Sequence, residues 1–174
     1  MDINNFKGIK TDNNGQLSIE YIMVVGFMFL ISVSIIFLAG DAQELNTAMA
    51  AARSGVIEGA NMGSFAVYPQ ETFEKYTTEH PRLTSQSNVK IVRIDYTNKG
   101  YNSTYKKTKI QLKIWASSPS VQNPSDKNCL GDRINYHIRK SICEAFGTQN
   151  LTSAVFNPAF SDRYVFTTND VKWV

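Results

Sequence analysis

The chain has 174 residues and a formal net charge of +3, with 18 Lys and Arg against 15 Asp and Glu. The basic residues are spread along it without a dense cluster, which argues against a nucleic-acid partner, since phosphate binding needs a concentrated Lys/Arg face. Beyond the first ~65 residues roughly 110 remain, near the commonest domain size and enough to bury a core.

The first element is the most informative. Gly15-Gln16-Leu17-Ser18-Ile19-Glu20 leads into an uncharged run from Tyr21 to Gly40. As a helix the run covers about 30 Å, the hydrocarbon thickness of a bilayer. A core helix of a soluble protein is rarely apolar all round for so long. A secretory signal peptide has an apolar core of only about 7–15 residues before a small-residue cut. Leu38-Ala39-Gly40-Asp41-Ala42 has the small residues, but the run is too long and Glu20 stands at its entrance. An uncleaved membrane anchor is the other reading. Lys7 and Lys10 precede the run, and no basic residue follows it until Arg53, which favours an N-in orientation with the remainder outside the cell.

Asp41 to Gly63 continues with helix formers, and no proline interrupts Gln16 to Tyr68. Leu45, Met49, Ala52, Val56, Gly59 and Gly63 fall on one face, and Glu44, Thr47, Ser54, Glu58 and Asn61 on another. The helix is therefore apolar all round in its first half and amphipathic in its second. Gly55, Gly59 and Gly63 recur every four residues. That spacing either opens a groove for close backbone approach or simply weakens the helix toward its end. Pro69 marks its latest end.

The remainder reads as a β-rich head. Val89–Tyr96 alternates, with Val92, Ile94 and Tyr96 on one face, and Thr97-Asn98-Lys99-Gly100 signals a turn. Lys107–Trp115 alternates again, with Ile110, Leu112 and Ile114 opposite Lys109, Gln111 and Lys113, so the two form an antiparallel pair with one buried face. Ser153–Phe156, Arg163–Thr167 and Val171–Val174 complete the strands. Between them lies a short helix capped by Asp132 and ended by Gly147, with Ile134, Ile138, Ile142 and Phe146 in an i, i+4 stripe. The fold class is α+β: a long N-terminal helix, then an antiparallel-sheet head with one short helix. The expected divisions are a leader over 1–15, the helix over 16–64 and the head over 65–174.

Cys143 lies on the short helix and Cys129 just ahead of it. In an exported domain they either bridge the entering loop to the helix or remain two thiols. Asn102-Ser103-Thr104 and Asn150-Leu151-Thr152 are N-glycosylation sequons in expected loops. His80 and His137 are isolated and belong to no metal-spacing cluster. No phosphate loop or nucleophile elbow occurs. The expectation is a non-enzymatic chain without cofactor or metal.

Gly15-Gln16-Leu17-Ser18-Ile19-Glu20 resembles the class III signal peptide of archaeal type IV pilins, Q-x-S-x-E-x-x-x-L after a small residue. Gln16, Ser18 and Glu20 match in register, and Val24 replaces the usual Leu. The likeness covers the motif and the apolar run and leaves the head uncovered. It implies cutting between Gly15 and Gln16 by a membrane-embedded prepilin peptidase, loss of 1–15, and retention of the apolar run. It further implies delivery, through a pilus assembly platform, from the cell membrane into an extracellular filament of like subunits. There Glu20 would neutralise the new α-amino group of Gln16, its own or a neighbour's, and so set the assembly register; otherwise Glu20 sits solvated at the headgroup boundary. The expected function is a filament subunit for surface attachment; the alternative is a membrane-anchored extracytoplasmic binding domain that never polymerises.

Overall fold

In a computed structural model of the chain the described residues are 13–61, 70–81, 83 and 89–174. Leader residues 1–12, Gly63 and the expected end of the helix at 64 lie outside them. The chain divides into two compact units, Met1–Ala42 and Gln43–Val174, and helix α1 (Asn13–Asn61) contributes to both. In the first unit α1 is helical across the Gly15–Gln16 bond and unbroken through the apolar run. The run is long and apolar enough to cross a membrane and is compatible with a membrane anchor.

The second unit begins with the amphipathic half of α1. It continues through α2 (Gln70–Glu79), β1 (Lys90–Asn102), β2 (Lys107–Ser117), α3 (Pro124–Phe146), a 3-10 turn (Gln149–Leu151), β3 (Ala159–Phe160), β4 (Tyr164–Thr168) and β5 (Lys172–Trp173). The class is α+β, as the sequence reading has it, but α2 is an additional helix and the sheet is mixed rather than antiparallel. Its order is β1-β2-β4-β3, and β5 also pairs with β2. β1 runs antiparallel to β2, whereas β4 and β5 both run parallel to it. The physical reason is α3, which intervenes as a crossover and lets the chain return in the same direction.

β2 is the centre of the sheet. Ile110, Leu112, Ile114 and Ala116 are fully buried and alternate with half-buried residues. They pack with Ala48, Ala52 and Val56 of α1 and with Leu130, Ile134, Ile138 and Ile142 of α3. Each isoleucine so buried contributes on the order of 2 kcal/mol relative to exposure. The expected alternation in β1 is off by one residue. Ile91 pairs with Ala116 and Arg93 with Trp115, so Val92 is the extra residue of a bulge. The bulge turns Ile91 and Ile94 to the core and leaves Val92 exposed.

The expected turn at 97–100 is a second bulge inside β1, where Gly100 takes φ 82° and donates its N–H to Asn98 Oδ1 at 2.8 Å. The hairpin turns later, beyond Asn102. The strand expected at 153–156 is a turn closed by Phe156 N–H donating to Ser153 O at 2.9 Å, and β3 forms at Ala159–Phe160 instead.

Helix α3 starts well before the expected cap at Asp132. Asn123 is the N-cap, its side chain accepting from Ser125 N at 3.1 Å, with Pro124 opening the helix and Asp126 in the first turn. Gly147 ends it in the left-handed region at φ 64°, as its C′ placement predicts. The longer helix corrects the proposed disulfide. Cys129 and Cys143 are both inside α3 and neither is in a disulfide. A rise of 1.5 Å per residue separates them by about 21 Å, whereas bridged Cα atoms lie within about 7 Å.

Candidate functional site

Two surfaces of α1 carry the functional argument, one in each unit. In the first unit the large apolar side chains of the run are exposed except for half-buried Val33, with Phe29 at 68% and Leu38 at 72%. Soluble monomers rarely leave apolar patches beyond a few hundred Å2 uncovered. The only hydroxyls in the run besides Tyr21 bond back to the helix's own carbonyls: Ser32 donates to Met28 O at 2.8 Å and Ser34 to Leu30 O at 2.9 Å. The helix thus satisfies its own polar groups, the requirement for a segment surrounded by lipid or by other apolar helices. Glu20 is exposed and is the one charged residue from Ile19 to Gly40. Gly15 and Gln16 lie on the same helix, in its first turn and ahead of Glu20.

In the second unit α1 presents its glycines to α3. A Cβ on Gly55 would stand 2.5 Å from the His137 carbonyl oxygen and 2.8 Å from Ile138 Cα, and one on Gly59 would stand 2.7 Å from Ile134 Cα. These are backbone atoms that cannot swing aside. Of the two readings of the glycine spacing, close helix–helix approach is the one observed at Gly55 and Gly59. The amphipathic stretch is held at one end to α3 and at the other to the residue ahead of β4. Arg133 Nε donates to Gly59 O at 2.9 Å. Glu44 Oε1 accepts from Arg163 N at 2.8 Å, and the Glu44 carboxylate lies 3.9 Å from the Arg163 guanidinium.

Both histidines stand beside carboxylates. His80 Nδ1 is 2.7 Å from Asp126 Oδ1 and ties the segment after α2 to the first turn of α3. His137 Nδ1 is 3.4 Å from Glu58 Oε1, close enough for an ion pair if protonated, yet forms no hydrogen bond. Burial holds the His137 imidazole below its usual range; Glu58 opposes this, and Lys140 and Arg133 reinforce it. Such placements give each histidine a packing role. Among the described residues no three His, Cys, Asp or Glu side chains gather as metal ligands.

The sequons differ in setting. Asn102 closes β1, and its Oδ1 accepts from Thr104 N at 3.0 Å and Tyr105 N at 3.2 Å, folding the sequon into an Asx turn at the hairpin tip. Asn150 is exposed in the 3-10 turn, but the Thr152 hydroxyl donates to Pro158 O at 2.6 Å. Sequence reasoning missed the Glu44–Arg163 pair and the Asn123 cap. The dipeptide Asn123-Pro124 ahead of Asp126 is a start signal that would have located the cap.

The chain matches no family model, and no curated protein or solved structure is significantly similar to it.

Proposed function

We propose that the chain is a subunit of an extracellular type IV pilus-like filament, made as a membrane precursor and assembled through its N-terminal helix. The observation that carries this reading is the division of one helix into two surfaces. The first half offers an all-round apolar exterior with its polar groups internally satisfied. The second half is committed to the head through Gly55 and Gly59. A mere anchor needs the first surface; a filament stalk also needs the head fixed to the helix it rides on. The motif ahead of the run supplies the processing step: a prepilin peptidase cuts after Gly15, and Gln16 becomes the N-terminus.

The physics of assembly follows from the apolar half. Helices apolar all round exchange lipid contacts for contacts with like helices at little cost. Glu20 then enters an apolar bundle, where an unpaired carboxylate is expensive. The α-amino group of Gln16, from the same or a neighbouring subunit, is the nearest cation the sequence provides, and only the correct axial offset brings the two together. Other subunits and the assembly platform are the partners on this route, and the head faces outward to meet surfaces.

Mass spectrometry of the protein from native membranes or sheared filaments tests the reading. A mature chain starting at Gln16 is expected. An intact Met1 start would replace the filament with a membrane-anchored binding domain. A start near Asp41 would make the run a secretory signal and remove both.

A further inference from the structure

The head carries a polar cleft that the filament reading does not use. Lys127, Asn128, Asp132 and Asn135 share one face of α3 by their spacing, and with Asp170 and Trp173 they enclose about 260 Å3. Gly131 is on the same face, and a Cβ there would make ordinary contact with Val171 Cβ at 3.4 Å. The opposite wall exists because the ladder along β2 is interrupted. Leu112 pairs with Thr168 and Trp115 with Lys172, so β2 advances three residues while the facing chain advances four. Asn169 N–H still donates to Leu112 O at 3.0 Å, and the extra residue lets 170–171 leave the ladder toward α3, a distortion that commonly re-aims side chains at binding sites.

One group in the cleft lacks a partner. Asn135 is 6% exposed, its Nδ2 donates to Asn169 O at 3.1 Å, and its Oδ1 is buried with no hydrogen-bond partner. Native proteins rarely leave a buried acceptor unsatisfied, and an exception calls for something that fills the role. Around it the walls hold two carboxylates, Asp132 and Asp170, against one ammonium, Lys127, so acceptors are in excess. The complementary ligand donates several hydrogen bonds, accepts one or two, and has an apolar side for Trp173. The volume lies just below that of drug-sized pockets and suits one small ring. Lys127 in the wall speaks against a metal ion, as does the lack, among the described residues, of a third acidic or imidazole ligand.

We propose that this cleft is a binding subsite for one hydroxyl-rich sugar ring. The inference goes beyond the filament reading and rests on the head alone, so its failure leaves that reading standing. The test uses the full chain in a phosphocholine detergent, which has no sugar headgroup of its own. Glucose, galactose, mannose and N-acetylglucosamine are titrated while the indole N–H signals of the two tryptophans are followed by NMR. At least one sugar should shift Trp173 saturably in the millimolar range and leave Trp115 unmoved. Asp170→Ala, at an exposed position, should weaken that binding at least tenfold while the melting temperature stays within 2 °C or so, the shift expected of surface changes. Asn135→Leu should do the same, and if it fails to fold, Asp170→Ala decides. No saturable shift with any of the four sugars, equal affinity in Asp170→Ala, or saturation by calcium chloride alone would overturn the proposal.

Discussion

Replacing Gly55 with alanine measures how closely α1 rides on α3. At an open helical site the change stabilises by about 1 kcal/mol, because alanine has the higher propensity. Here the new methyl group would lie 2.5 Å from the His137 carbonyl oxygen and 2.8 Å from Ile138 Cα. Contact with carbon needs about 3.5 Å, so the helices must part by several tenths of an ångström or more. Overpacking of this kind costs about 1–3 kcal/mol, and parting the helices also loosens Ala52 and Val56 from the core they share with α3. The propensity gain offsets part of this, leaving a net loss of about 1–2 kcal/mol. For a unit the size of Gln43–Val174 that lowers the melting temperature by about 4–8 °C. Ser54→Ala, one residue away and exposed, is the control and should be neutral or slightly stabilising. Thermal melts followed by tryptophan fluorescence compare them. A Gly55→Ala chain melting at or above the Ser54→Ala chain would refute the close approach.

Acidification should destabilise the head through His137. Its folded-state value is depressed from 6.5, chiefly by burial, so the unfolded chain binds the proton more readily; the contribution is whole above 6.5 and lost as pH falls below it. Denaturant midpoints measured against pH should fall less steeply in His137→Gln than in the parent, and parallel curves would contradict the assignment. Glu20→Gln should leave the cut after Gly15 intact but reduce incorporation into filaments severalfold, as read from sheared fractions; normal incorporation would remove the register argument. Alkylation without reductant should label both cysteines once the chain is unfolded, with half-exposed Cys129 reacting before buried Cys143 in the folded protein. A chain that resists labelling until reduced would restore the bridge. Glycopeptide mass spectrometry should find Asn102 occupied more fully than Asn150, because the first sequon is presented in a hairpin-tip turn while the hydroxyl of the second is engaged; glycan on Asn150 alone would reverse this.

The long helix was legible because its signals are strong and local: an uninterrupted apolar run, no proline, and an unchanged helical face from Leu45 to Gly59. The strand pair β1–β2 was legible for the same reason, through alternation. What escaped depended on single residues inserted between regular stretches. Val92 shifts the buried face of β1, and no pattern of apolar residues distinguishes a bulge from continued alternation. The start of α3 was displaced because Asp132 and Asn123 both suit a cap, and only the second is followed by proline. That displacement alone undid the disulfide, since it placed both cysteines on one rigid rod. The cleft was illegible because Asp170 and Trp173 approach α3 only through the interrupted ladder, which is a property of pairing over long separation. Even the glycines became interpretable only once their partners, some eighty residues distant, were in place.

The pairing order of the sheet also dictates an order of events. The hairpin β1–β2 is local and forms without waiting, but the second edge of β2 is closed by strands roughly fifty residues further along, and the glycine face of α1 waits longer still for α3. While the chain emerges, β2 therefore holds an open edge beside exposed apolar side chains, the combination that recruits strands from other chains. Completion of the head waits for β4 and β5. Substitutions in β4 and β5 should consequently matter most for yield during biogenesis, by lengthening the time that edge stays open.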